Sequence, residues 1–132
     1  MKQRIRKIDR LIKVQQHLHK NAEIQLASLQ RKEDELKTTQ EDLLRSMDDS
    51  GALHGLLVDV VAKRLKMLAL EETRTRAAVT EQRAVTIEKA LQVKRSEKVF
   101  SRLKEDVRQG QEKKDLMAIL ELMVQKERTS LP

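Results

Sequence analysis

The sequence predicts an all-α protein: an antiparallel two-helix coiled-coil hairpin whose C-terminal helix is the longer. Three observations predict it. The 132 residues include no Trp, Tyr or Cys, one Phe, one Pro and three Gly, while 37% are charged. The chain is otherwise dominated by Leu, Ala, Lys, Glu, Arg, Gln and Met, the strong helix formers. Apolar residues recur at 3-4 spacing along two long stretches, and one turn-forming stretch separates them. Two helices bury a seam rather than a broad core, which suits a chain so poor in aromatics.

Helix 1 is expected over residues 2–47, which contain neither Gly nor Pro. Its stripe reads Ile5, Ile8, Ile12, Ala22, Leu26, Leu29, Leu36, Leu43 and Met47, with Gln15, His19, Glu33 and Gln40 at the remaining seam positions. At 1.5 Å per residue it spans ~70 Å. The turn is expected over 48–55, where Asp48, Asp49 and Ser50 can cap and Gly51 and Gly55 give backbone freedom.

Helix 2 is expected over 56–128; Gly110 interrupts its pattern and is a possible break, so continuity of the helix there is left open by the sequence. Its stripe reads Val58, Val61, Leu65, Leu68, Val79, Val93, Phe100, Leu103 and Val107. Glu72, Thr75, Gln82, Thr86, Lys89 and Ser96 fill the gaps. Beyond Gly110 the phase shifts to Leu116, Ile119, Leu120 and Met123. Folded at the turn, the stripes can be laid so that Leu43 faces Val58, Leu36 faces Leu65, Ala22 faces Val79 and Ile8 faces Val93. That register also sets Gln15 against Thr86 and His19 against Gln82, but leaves Leu29 opposite Glu72 and Ile12 opposite Lys89. Helix 1 is used up near residue 100 of helix 2, so residues 102–130 overhang by ~40 Å. The most apolar run of the chain, "KKDLMAILELMVQK" at 113–126, lies in that overhang.

Charge is unevenly placed. Residues 1–20 carry Lys2, Arg4, Arg6, Lys7, Arg10, Lys13 and Lys20 against Asp9, whereas 41–60 carry Glu41, Asp42, Asp48, Asp49 and Asp59 against Arg45. A basic terminal end and an acidic tip favour acidic partners at the former. A basic-zipper reading fails because Ile5, Ile8, Leu11, Ile12 and Val14 thread through the basic residues, so the segment is expected to pack on protein. Stacking platforms for single strands are missing as well, and no nucleic-acid partner is expected.

No enzyme is expected. His17, His19 and His54 do not form a metal-binding pair at i, i+4, and the chain has no phosphate loop and no nucleophile elbow. Neither a metal nor any other cofactor is implied. Without cysteines, a secretory signal or a membrane-length apolar run, the chain reads as cytoplasmic, with no direct membrane insertion.

The segment "EKVFSRLKEDVRQGQEKKDLMAILE" at 97–121, together with the helix–acidic turn–longer helix order, resembles the FliJ/YscO-type proteins. These are central-stalk components of flagellar and type III secretion export ATPases. Leu103-Lys104-Glu105 resembles the family's Leu-Lys-Glu segment. Glu112, Lys114 and Leu116 resemble the Glu, Lys and Leu of its following motif, whose Asp-Glu is replaced here by Met117-Ala118. The resemblance implies a non-catalytic stalk that promotes assembly of a hexameric secretion ATPase and links it to a membrane export gate, with export chaperones as further partners. On that reading Lys2, Arg4, Arg6, Lys7, Lys113, Lys114, Leu116, Met117, Leu120 and Met123 bind the ATPase, and Leu53, Leu56 and Leu57 face the gate. The protein would sit in the cytoplasm, peripheral to the export apparatus. The competing reading is a self-associating coiled-coil scaffold. A basic helical nucleic-acid binder comes third.

Overall fold

The structure, a computed structural model, describes residues 2–49 and 54–130. They form two helices that pack against each other: α1, Lys2–Asp49, and α2, His54–Ser130. No strand occurs among the described residues. Both helices run further than the sequence suggests. Asp48 and Asp49 close α1, while His54 and Gly55 open α2; the rest of the expected turn, 50–53, lies outside the described residues.

The sequence leaves open whether the helix continues at Gly110, and α2 runs through it. An exposed glycine costs a helix about 1 kcal/mol, too little to stop one flanked by strong formers. Arg108 pairs with Glu112 across the site, and further pairs flank it on either side: Arg108 with Glu105, and Gln111 Nε2 donating to Asp115 at 3.1 Å. A Cβ added at Gly110 meets nothing within 4 Å. Gly110→Ala is therefore expected to raise unfolding free energy by about 0.5–1 kcal/mol in urea titration. A loss of stability would mean that the helix is not continuous there.

Contacts divide the chain into two compact units, Gln16–Leu91 and Met1–Gln15 with Gln92–Pro132. In the first, Ala22 and Leu36 of α1 and Leu68, Thr75, Val79 and Thr86 of α2 are buried. The hydroxyl of Thr86 donates to the Gln82 carbonyl at 2.8 Å, so its burial leaves no orphan. Cross-helix contacts here run in opposite chain directions. Gln40 Nε2 donates to Glu72 at 2.8 Å, Arg76 Nε reaches Glu33 at 3.5 Å, and Gln82 Nε2 donates to the Ala22 carbonyl at 3.2 Å. Lys32 pairs with Glu71 at 3.5 Å.

These contacts correct the expected register. Gln40 should have faced Val61 and Glu33 Leu68, yet their partners lie further along α2, at Glu72 and Arg76. A shift of one heptad brings all four pairs within about a turn and a half of level. The physical reason is charge. Glu72 and Glu33 sit in the seam and need partners; Arg76 Nη2 lies 2.8 Å from Glu72, and the same guanidinium bridges to Glu33. Lys37 completes Glu33 at 3.5 Å.

In the second unit Ile12 and Val93 are buried, and Ile5, Ile8, Phe100, Leu103 and Val107 are half-buried. Lys104 Nζ stands 4.6 Å from the Phe100 ring centroid, a cation–π contact that covers the only aromatic side chain. Leu11 and Val14, expected to pack on protein, are exposed, 49% and 56%. They fall off the stripe that carries Ile5, Ile8 and Ile12.

Candidate functional site

The residues singled out from sequence all lie in this second unit, apart from the three leucines at the acidic end. From Arg108 to Thr129 every residue of α2 is exposed. At 100° per residue, Leu116, Met117, Ile119, Leu120, Met123 and Val124 share one side of the helix, and Leu122 lies away from it. Their exposure runs from 48% at Leu120 to 61% at Met117. Scattered exposed apolar residues are ordinary, whereas a contiguous apolar face is not. The groove beside Leu120 is lined by Met117, Val124, Gln125 and Arg128. Val124 and Arg128 therefore belong to the candidate surface although sequence reasoning passed over them; their i, i+4 spacing with Leu120 was the available signal.

Lys2, Arg4, Arg6 and Lys7 are exposed at the start of α1, as are Lys113 and Lys114 at the root of the apolar face. Both groups belong to the same compact unit. Lys2, Arg4, Arg6, Lys7 and Arg10 form no ion pair among the described residues; only Lys13 does, with Asp9 at 3.3 Å. The first turn of α1 holds no acid and its last turn no base. This arrangement opposes the helix macrodipole at both ends, each charge costing about 0.3–1 kcal/mol.

Leu53 lies outside the described residues, as does the side chain of Leu56; Leu57 is 38% exposed. His17 is exposed, and His19 is half-buried with Nε2 3.2 Å from Glu23. Among the described residues no group of three or more His, Cys, Asp or Glu is placed to hold a metal ion, and no helix is long and apolar enough to cross a membrane. The resolved pKa shifts sit at one exposed pair. A hydrogen bond from Arg108 holds the Glu105 carboxyl below the usual carboxylate range, and Glu105 in turn raises Arg108. Solvent-exposed ion pairs of this kind set local charge rather than chemistry.

No protein-family model, curated protein or solved structure matches the chain.

Proposed function

We propose that this protein is a non-catalytic stalk of a flagellar or type III protein-export ATPase, folded as an antiparallel coiled-coil hairpin. One observation carries the reading: the α2 face of Leu116, Met117, Ile119, Leu120, Met123 and Val124 is exposed and has no covering partner in its own chain. A helix of this kind is received by a groove or socket in another protein. Methionines at 117 and 123 suit it to a surface that must adapt. The resemblance of residues 97–121 to stalk proteins names the receiver as a hexameric secretion ATPase. Lys2, Arg4, Arg6, Lys7, Lys113 and Lys114 meet acidic groups around the socket and orient the encounter more than they tighten it. The acidic end, with Leu53, Leu56 and Leu57, faces the membrane export gate, and export chaperones are further partners. The protein works in the cytoplasm, peripheral to that apparatus, and uses no cofactor.

The test is ATP hydrolysis by the purified cognate ATPase, titrated with the full chain and with a chain truncated after Gln109. The full chain should stimulate hydrolysis and the truncated chain should not, while circular dichroism shows both folded. No effect from either would favour the second reading, a self-associating scaffold, for which the same exposed face is the supporting observation. Mass that rises with concentration at micromolar levels would then identify two extensions packing on each other.

A further inference from the structure

The basic character of the second unit is greater than its N-terminus suggests. In residues 1–15, Lys2, Arg4, Arg6, Lys7, Arg10 and Lys13 outnumber Asp9 by five. In residues 92–107, Lys94, Arg95, Lys98, Arg102 and Lys104 outnumber Glu97, Glu105 and Asp106 by two. Together these segments carry +7, the net charge of the whole chain. The α2 contribution is ordered: Lys94, Lys98 and Arg102 follow one another at i, i+4 and i+8 and line a single shallow groove with Glu97 and Ser101. All three cations are exposed. Like charges at i, i+4 destabilise the helix that bears them, and none of the three is neutralised by an ion pair among the described residues.

We propose that this ladder is a docking surface for an acidic helix of a partner protein. Each rung lies about 6 Å from the next along the axis, which is also the rise between carboxylates at i, i+4 of an opposing helix. Two features favour a protein over a nucleic acid. Glu97 stands within the groove, where it repels a run of phosphates but accepts a lysine or arginine interspersed among a partner's acids. The unit also has no free stacking platform, since Phe100 is half-buried under Lys104. Identification of the acidic partner with the export ATPase rests on the stalk reading; the ladder itself does not.

The experiment compares the full chain with the K94E/K98E/R102E variant, whose helicity is checked first, against three probes. These are the purified export ATPase, a synthetic helical peptide with Glu at every i, i+4 position of one face, and a single-stranded oligothymidylate. The variant should associate with the ATPase at least about tenfold more slowly at low salt, the gap closing as salt rises. It should also lose most peptide binding, and the full chain should prefer peptide to oligothymidylate. Equal association of both chains with the ATPase would remove the ladder from that interface while leaving the stalk intact. If the full chain ignores the ATPase, the stalk reading fails and the peptide still decides the ladder: equal peptide binding by both chains overturns it. Tighter binding of oligothymidylate than of peptide would overturn the protein partner in favour of a nucleic acid. A K94Q/K98Q/R102Q variant, with smaller losses in the same order, guards against an effect of the introduced acids alone.

Discussion

Leu68→Asp is expected to destroy the fold, while Leu120→Asp, also on α2, leaves it standing. Leu68 is 2% exposed, the least of any buried apolar side chain in the chain's described residues. Replacing it removes about 2 kcal/mol of burial and sets a carboxylate in an apolar seam. The combined loss of at least about 4 kcal/mol approaches the whole stability of a small domain, ~5–15 kcal/mol, and a single seam sits at the low end of that range. Leu120 is 48% exposed on a face with nothing packed over it. There Asp costs only its poorer helix propensity, about 0.5 kcal/mol. Far-UV circular dichroism with thermal melting separates the two: the first variant should lose most of its ellipticity at room temperature, the second should melt within a few degrees of the parent. Equal damage from both would show that the C-terminal part of α2 is structural, and the proposal that it is a receiver-bound surface would fall with that.

The contrast rests on a division that was largely legible in the sequence. The buried and half-buried residues of α1 follow the stripe from Ile5 to Met47, and those of α2 the stripe from Val58 to Val107, polar members included. The 3-4 spacing determines which side of a helix faces a partner, and nothing else in so aromatic-poor a chain competes with it. Register is a different matter. Sliding one stripe by seven residues keeps every stripe residue on the seam, so the pattern is blind to a one-heptad error. The deciding contacts are those that polar seam residues make across the helices, Gln40 with Glu72 and Glu33 with Arg76 above all. The helices end within two residues of where the sequence sets them, and the small differences arise because Asp and Gly permit turns without requiring them: Asp48 and Asp49 stay helical, and α2 runs through Gly110. In the candidate site, the apolar run at 113–126 was plain from composition. Lys94, Lys98 and Arg102 were not, since cations four apart are common in a helix of this composition. Only their shared groove and lack of ion-pair partners set them off.

Gln15→Leu should stabilise the protein, by about 1–2 kcal/mol. Gln15 occupies a seam position and is half-buried, and its Oε1 is buried without a hydrogen-bond partner. A desolvated carbonyl without a partner costs about 1–3 kcal/mol, and leucine removes it while adding apolar burial at similar volume. Urea unfolding should show a higher midpoint with an unchanged slope. The two polar seam residues whose amides donate across the helices behave differently. Gln40 holds Glu72 at 2.8 Å, and Gln82 holds the Ala22 carbonyl at 3.2 Å. Leucine at position 40 strips Glu72 of one of its two donors, so the same chemical change there should be neutral or destabilising. Opposite signs at positions 15 and 40 would mean that seam polarity is kept for register at Gln40, where a partner answers it. They would leave Gln15 as a site where stability was available and not taken. Destabilisation at both positions would mean that the Gln15 carbonyl is satisfied in solution, and that the whole polar series, not the Arg76 network alone, sets how the helices align.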